Sequence, residues 1–477
     1  MSQDVENTDM NMSRFLAWFE QGGGVSYAAE IKSQGVHRGL YSTKDIRKGE
    51  PILSVPLTLC FFNNDWELEA LKKLLGPADN LPYYMTSVLR LLLEMKHPCS
   101  KWRPYLDVLP AENITPVSNL NKLQQNVLQK TAAWPDLYED IRDYFIEWKH
   151  VSQLNNLFSN LVEEDYFWAR MTHVRRTFGG ESYGWEDRDL LIPFMDMCNH
   201  ANDSSVYLGF DPKYNHFMAY ARKDIQAREE LSFYYNSKSN AGFLVQYGFT
   251  HPENPSKLAL LPYGKLVEAS VSENLITAEI IDRCTMIYSD EVDSLKTLLS
   301  RLRYWFDKGV SSLNDDPVNY LEPISINNEV MTHRAIIEIC IMRLSSLPTD
   351  NYRQIRNDKG KVSLKAVSKF EREIDFHEFN LQNIIEDELV VLDQLKSLSS
   401  QFLTCLASRD RNVEFQEYSE EDSYFAEHYR ELLDLCWALN DGESSLEGSV
   451  KGVSGDPVIN HEEALGSTFA IEAMSIG

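Results

Sequence analysis

The 477-residue sequence predicts an α+β fold in which one β structure is assembled from two separated groups of short strands. Strand-like runs occur within residues 25–64 and return within residues 186–250. Apolar residues at helical spacing occupy residues 65–185 between the two groups and residues 265–440 after them. Each β group alone is too small to bury a sheet. We therefore expect the groups to pair with each other across a helical insert.

The first group of strands follows a short helix. Residues 1–24 are predicted to form an N-terminal helix and tail, because SRFLAWFEQ at 13–21 has helical spacing and stops at three glycines. The strands of residues 25–64 are then VSYAAEI, RGLYSTKDI and PILSVPLTLCF. In residues 186–250 the runs are LLIPFMDMC, VYLGFD, FMAYARKDI and ELSFYY, preceded by a loop, GGESYGWED.

Amphipathic helices dominate the rest of the chain. In the insert, SVLRLLLEMKH, DIRDYFIEWKH and EEDYFWARMTHVRRTF have helical spacing. From about residue 265 to 440 the same spacing predicts an all-α domain. Residues 441–477 are rich in Gly and Ser and acidic, which predicts a disordered acidic tail.

Composition limits the classes of partner. The net charge of −26 argues against binding to nucleic acid and suggests a basic protein partner, although solubility alone also explains such a charge. The seven cysteines include no CxxC pair, so neither a zinc site nor a disulfide framework is indicated. No signal peptide or membrane span is evident. We expect a monomeric, cytoplasmic or nuclear protein.

Two clusters of polar and aromatic residues could carry chemistry. In IPFMDMCNH, what reads as a buried strand ends with Asp196, Asn199 and His200. A Cys198–His200 nucleophilic pair has no known activation spacing, and Asp196 with His200 lacks further metal ligands. About 30 residues later, EELSFYYNSKSNAGFLVQYGF places three tyrosines near one another, which alone would be typical of a packed core. No P-loop, dinucleotide-binding or hydrolase motif is present.

Together these segments resemble the SET-domain protein methyltransferases, in the subgroup of the plant Rubisco large-subunit lysine methyltransferase. GVHRGLYSTKDIRKGEPILSVP resembles the first SET segment of that family, WRPYLDVLP a signature of its helical insert, and YFWARMTHVRR the helix that returns from the insert. The region after residue 265 resembles its substrate-binding domain. The resemblance implies a SET-domain β-fold with a pseudoknot, interrupted by the insert and followed by the all-α domain.

The resemblance also implies S-adenosylmethionine as cofactor, and no metal. The cofactor residues by motif position are Val36, His37, Arg38, Arg176, Asn199, His200, Tyr247, Gly248 and Phe249. A guanidinium at Arg176 suits the carboxylate of the cofactor, and a one-residue slip would place Arg175 there instead. The family usually has a second glycine where this chain has His37.

Catalysis in the family rests on a tyrosine hydroxyl that orients the attacking amine and the methyl group. By motif position this residue is Tyr235, with Tyr234 as the slip alternative. The reaction requires a neutral amine held in line with the methyl carbon, so positioning supplies most of the effect. Matching positions imply a substrate-binding set of Phe178, Met195, Asp196, Tyr207 and Tyr234, although Asp196 is equally able to cap its turn.

The substrate residue is the next question. One branch of the family methylates a histidine of actin, and it carries Asn and Trp where this chain has Phe178 and Met195. An aromatic wall suits an alkyl-ammonium channel. The sequence therefore favours a protein-lysine N-methyltransferase acting on a non-histone protein. The alternatives are a protein-histidine methyltransferase and a catalytically silent SET-fold adaptor.

Overall fold

The computed structural model describes residues 2–34, 37–75, 84–110, 120–154, 161–180, 189–262, 284–308, 320–348, 373–408 and 423–447. The predicted cofactor residue Val36, most of the GGESYGWED loop and residues 448–477 of the predicted tail lie outside these ranges. His37 belongs to a described strand.

The N-terminal part comprises a helix, four strands and the helical insert. Helix α1 (Ser2–Gln21) precedes β1 (Val25–Ser26), β2 (Ala29–Gln34), β3 (His37–Ser42) and β4 (Pro51–Pro56). The insert contains α2 (Asp65–Leu75), α3 (Met85–Lys96), α4 (Arg103–Leu106), α5 (Lys122–Leu128), α6 (Trp134–Val151) and α7 (Glu163–Arg176).

The second group of strands and the C-terminal region follow. The strands are β5 (Phe178–Gly179), β6 (Asp189–Leu190), β7 (Asn199–His200), β8 (Val206–Asp211), β9 (His216–Ala221) and β10 (Glu230–Phe233), and α8 (Asn240–Tyr247) closes the group. The C-terminal region contains β11 (Leu258–Pro262), β12 (Cys284–Tyr288), α9 (Val292–Lys308), α10 (Ile326–Ser346), α11 (Glu373–Ser408) and α12 (Ser423–Glu447).

The two β groups form one sheet, as predicted. Its strand order is β1-β4-β9-β8-β10-β3-β2, so three strands from after the insert lie between two pairs of strands from before it. Strand β10 pairs antiparallel with β3, with Leu231 opposite Leu40, and parallel with β8, with Phe233 opposite Val206. Leu231 and Leu40 are buried in a core shared with α1, α3 and α7. The α+β prediction is therefore confirmed.

The C-terminal region is mainly helical but also contains a two-stranded sheet. Strand β12 pairs antiparallel with β11, and Leu258 lies opposite Tyr288. The all-α prediction did not include β12, because hydrophobic periodicity cannot separate a short apolar run in a strand from one in a helix.

Two predicted boundaries also differ. Helix α1 begins at Ser2, ahead of residue 13, and α12 ends at Glu447, beyond residue 441.

Helix α11 joins the C-terminal region to both other parts. Leu381, Ile384 and Ile385 of α11 share a core with residues of α5, α8 and β11. The carboxylate of Glu388 accepts hydrogen bonds from Arg343 of α10, at 2.6 Å, and from the backbone of Ala132 in the insert. None of the helices in the described ranges is long and apolar enough to cross a membrane.

Candidate active site

Strand β7 consists of Asn199 and His200, the pair singled out in the sequence. It runs parallel to β10, with Asn199 opposite Ser232 and His200 opposite Phe233. Since β10 leads directly into Tyr235, this pairing brings the two sequence clusters into one site. The segment before β7 is not the predicted buried strand. After β6 the chain turns and forms a single 3-10 turn, Met195–Met197.

The turn before Asp196 depends on Phe194. This residue has a φ of 73° and a ψ of −46°, a sparsely populated conformation that costs a non-glycine residue on the order of 1–3 kcal/mol. Its buried ring lies 5.1 Å from that of Phe19 and 6.0 Å from that of Phe15, both in α1. Burial of a phenylalanine contributes about 1.5–3 kcal/mol, which offsets the strain. Helix α1 thus stabilises the turn that presents Asp196.

Asp196 is a buried bridge between the insert and Arg176. Its side chain has no exposed surface. Its Oδ2 accepts hydrogen bonds from the Tyr105 hydroxyl at 2.9 Å and from Arg176 Nη1 at 3.2 Å, and Arg176 Nη1 also donates to the Asp196 carbonyl. Burial raises the pKa of Asp196, while Arg176, Tyr105 and Arg38 act in the opposite direction. Asp196 therefore orients Arg176, while its predicted contact with substrate stays a prediction.

Arg176 retains capacity for an anionic ligand. Its side chain is 20% exposed, and in the described part of the chain only Nη1 takes part in a hydrogen bond. The remaining N–H groups can bind a carboxylate. The side chain of Arg38 donates to the carbonyl of Val108 nearby, and burial and the charge of Arg176 lower the pKa of Arg38. Two guanidiniums around the single carboxylate of Asp196 leave net positive charge, which suits a carboxylate ligand.

Arg175 does not share this position. Burial, followed by the charge of Arg176, lowers the pKa of Arg175 to about 10, and its favourable charge partner is Asp140 of α6. The contact of Arg176 with Asp196 therefore favours Arg176 as the ligand-binding arginine.

His200 has both ring nitrogens engaged. Its Nδ1 accepts a hydrogen bond from the backbone N–H of Tyr235 at 3.2 Å, so the proton of the neutral ring lies on Nε2. Nε2 faces the Oδ1 of Asn202, also at 3.2 Å. Burial lowers the pKa of His200 to about 4, and the ring packs 4.7 Å from that of Phe243. The imidazole is a neutral structural group that holds the backbone at Tyr235.

A Cys198–His200 pair does not form. Cys198 is buried, and its thiol donates to the carbonyl of Leu231 at 3.0 Å. Burial raises the pKa of this thiol, which disfavours the nucleophilic thiolate. Cys198 is thus a packing residue.

Tyr235 has the geometry expected of a positioning hydroxyl. It donates to the carbonyl of Cys198 at 2.8 Å, and its ring lies 5.1 Å from that of Tyr247. Burial raises the pKa of Tyr235, so the phenol stays protonated and its oxygen retains a lone pair for an incoming N–H. Tyr234, by contrast, is 40% exposed.

Helix α8 and the residues after it form an aromatic wall beside Tyr235. The hydroxyl of Tyr247 accepts a hydrogen bond from Asn236 Nδ2 at 3.3 Å. Gly248 ends the helix at a φ of 83°, a left-handed conformation that glycine adopts without strain. The ring of Phe249 then stacks on Phe243 at 5.4 Å. These contacts place the predicted cofactor residues Tyr247, Gly248 and Phe249 next to the Tyr235 site.

The remaining predicted substrate residues occupy three different environments. Phe178 packs edge-on against Phe233 of β10, with ring centroids 5.8 Å apart. Met195 is 2% exposed and belongs to the hydrophobic core, and its predicted contact with substrate stays a prediction. Tyr207 is 42% exposed and stacks on Tyr220 in the neighbouring strand. The structure thus packs Phe178 against β10, buries Met195 beside Asp196 and leaves Tyr207 exposed in β8.

The sequence did not single out three further residues of the site. Tyr105 bonds Asp196, and it lies in the quoted motif WRPYLDVLP. Asn199 Nδ2 donates to Glu230 Oε1 at 2.8 Å and to the carbonyl of Arg38 at 3.1 Å. Gly39 lies against both Asn199 and Glu230. No sequence spacing indicates these contacts, because each joins segments that are distant in the chain.

Comparisons with known proteins agree with this geometry. The family model of the SET domain matches residues 37–236. The actin-histidine N-methyltransferase of Rhinolophus ferrumequinum is 30% identical over 263 residues, and that of Homo sapiens is 29% identical over 263 residues. Each match covers 50% of this chain but only 42% of the relative.

Solved structures of Rubisco LSMT share the fold across nearly the whole chain. The SET domain of LSMT bound to lysine and AdoHcy superposes with a TM-score of 0.60 at 18% identity, covering 92% of this chain and 99% of that one. Rubisco LSMT bound to sinefungin and monomethyllysine gives a TM-score of 0.58 at 19% identity. At this level of identity, the likeness establishes the arrangement of strands and helices.

Proposed function

Because residues 37–236 match the SET-domain family model, we propose that this chain is a protein methyltransferase that uses S-adenosylmethionine as methyl donor. The observation that carries the proposal is the parallel pairing of β7 with β10, which places Asn199 and His200 beside Tyr235. When bound, the cofactor supplies an electrophilic methyl group on a sulfonium. The structural likeness to proteins solved with AdoMet and AdoHcy supports this choice of cofactor.

The side chains present fit such a cofactor. Arg176 has N–H groups left for the carboxylate of the methionine end, and Asp196 fixes the guanidinium. Asn199 presents its side-chain oxygen, because its amide nitrogen is already bonded twice within the protein. Tyr247 and Phe249 supply an aromatic wall. The set therefore offers partners for the charged end and for an apolar or aromatic part of the ligand.

The chain then needs to position a neutral nucleophile. The Tyr235 hydroxyl donates its proton in a hydrogen bond to the Cys198 carbonyl, and its oxygen can accept a hydrogen bond from the attacking nitrogen. His200 is engaged through both nitrogens and Asp196 is sealed from the surface, so neither is available as a general base. Rate enhancement by this site would come from alignment and exclusion of water.

We propose lysine as the modified residue, in a non-histone protein. Phe178 and Phe233 form an edge-on aromatic pair at the end of β10, and aromatic faces favour alkyl-ammonium groups. Phe178 offers no hydrogen-bonding group to an imidazole nitrogen. The net charge of −26 supports a basic protein as substrate, since it would steer such a partner to the enzyme.

Histidine methylation is the second candidate, and a different observation favours it. Actin-histidine N-methyltransferases of several mammals share 27–30% identity with half of this chain. A catalytically silent adaptor is less favoured, because Arg176, Asn199, His200 and Tyr235 are all present and brought together.

The test uses purified protein, a cell lysate and S-adenosylmethionine labelled in its methyl group. We expect wild type to label protein and Tyr235→Phe to lose most of the labelling. Tyr214→Phe, at an exposed tyrosine of the turn between β8 and β9, should keep it as the matched control. Tandem mass spectrometry of the labelled peptide then identifies lysine or histidine. If wild type and Tyr235→Phe label the same proteins equally, the enzymatic proposal fails.

A further inference from the structure

Residues of three neighbouring strands meet at the amide side chain of Asn199. Asn199 lies in β7, Gly39 in β3 and Glu230 at the start of β10. A Cβ atom added at Gly39 would lie 2.7 Å from Glu230 Oε1 and 2.8 Å from Asn199 Nδ2. A side chain at position 39 would therefore displace the Glu230 carboxylate, the Asn199 amide or both. The close approach confines the Asn199 amide between the β3 backbone and the Glu230 carboxylate.

The hydrogen bonds determine which way the Asn199 amide points. Both neighbours of its Nδ2, the carbonyl of Arg38 and the carboxylate of Glu230, are acceptors only. A flipped amide would place its oxygen against both of them, which is repulsive. Both protons of Nδ2 are therefore used inside the protein, and Asn199 offers a ligand only the acceptor Oδ1.

We propose that Glu230 is a positioning residue for cofactor binding, which orients the Asn199 amide so that Oδ1 receives an N–H donor of the cofactor. The inference rests on the proposed function. The donor on an S-adenosyl ligand would be its α-ammonium group or its adenine amino group. Glu230 itself is exposed on the surface, so its contact with Asn199 contributes little to the stability of the fold.

The side chain at 230 determines the orientation by its hydrogen-bonding type. Gln keeps an acceptor and can hold the same orientation. Ala leaves only the Arg38 carbonyl to orient the amide. Lys presents a donor, which would draw Oδ1 toward position 230 and turn Nδ2 toward the ligand. We therefore expect affinity to fall in the order wild type and Glu230→Gln, then Glu230→Ala, then Glu230→Lys.

Isothermal titration of the full chain with S-adenosylhomocysteine measures this order. We expect Glu230→Ala to raise the Kd by about 3–10-fold, the equivalent of one hydrogen bond, and Glu230→Gln to leave it within about twofold. The matched control is Glu229→Ala, since Glu229 bonds the backbone of Gln226 and not Asn199. Thermal unfolding of each variant reports any loss of fold.

A double-mutant cycle separates orientation from a general effect of charge. If Glu230 acts through Asn199, Glu230→Ala and Glu230→Lys should change the Kd little further in an Asn199→Ala background. An unchanged Kd in Glu230→Ala, or an equal loss in both backgrounds, would overturn the inference. Failure of wild type to bind S-adenosylhomocysteine would instead overturn the proposed function, so the two failures are distinguishable.

Discussion

Asp387 of α11 is a fully buried carboxyl group at the contact between α8 and the C-terminal region. Asn240 Nδ2, at the start of α8, donates to its Oδ2 at 2.8 Å. Burial raises the pKa of Asp387 from 3.8 to about 8, Glu386 and Glu388 add to the rise, and Lys257 and Asn240 act against it. At neutral pH the group is therefore protonated. Asp387→Asn replaces it with a neutral side chain of the same shape that keeps an acceptor for Asn240.

The magnitude follows from proton linkage. Because the pKa is raised in the folded state, the folded protein binds one proton more than the unfolded chain between about pH 4 and pH 8. The contribution of the protonated Asp387 to the free energy of unfolding is fully present below pH 4. It is lost as the pH rises to about 8. The free energy of unfolding of wild type should therefore fall by up to about 1.4 kcal/mol per pH unit relative to Asp387→Asn in that window.

Urea unfolding followed by circular dichroism from pH 5 to 9 tests this expectation. Titrations common to both proteins cancel in the difference between variant and wild type. The free energy of unfolding of Asp387→Asn minus that of wild type should increase with pH up to about pH 8 and then become constant. Asp393→Asn, an exposed acid of the same helix, is the matched control and should give parallel curves. Parallel curves for Asp387→Asn would refute the assignment of a protonated carboxyl.

The remaining predictions concern the candidate active site. Tyr105→Phe removes the hydroxyl that donates to buried Asp196, so urea unfolding should show a loss of about 1.5–3 kcal/mol. Gly39→Ala introduces a Cβ 2.8 Å from Asn199 Nδ2, so the Kd for S-adenosylhomocysteine should rise at least about tenfold. Arg176→Lys keeps the charge but loses the planar fork, so calorimetry should show weaker binding with little change in the unfolding midpoint.

The pairing of the two β groups could be predicted from the sequence, because neither group has enough strands to be stable alone. The turn at Phe194 could not. Its apolar neighbours read as a buried strand, and periodicity does not separate the two for a short apolar run. The positive-φ conformation of Phe194 is stabilised by the rings of Phe15 and Phe19, which belong to helix α1, far away in the sequence. Such a contact has no local signal.

The same reasoning applies to the site. Motif positions identified Asn199, His200 and Tyr235, which lie together on β7 and directly after β10. The role of Asp196 stayed open in the sequence, since a carboxylate after an apolar run can cap a turn or face a ligand. Its assignment depends on Tyr105, a residue of the insert, and such partners appear only once the insert is packed on the sheet.

Helix α8 links the C-terminal region to the aromatic wall of the site. Its first residue, Asn240, bonds Asp387, and its last, Tyr247, packs against Tyr235. Eight residues of helix span about 12 Å and move as a unit. Ionisation of Asp387 would place a buried charge at the start of α8 and displace the helix. The displacement would move the aromatic wall at the other end of α8, where Tyr247 packs against Tyr235. The affinity of wild type for S-adenosylhomocysteine should then fall above about pH 8, and that of Asp387→Asn should not.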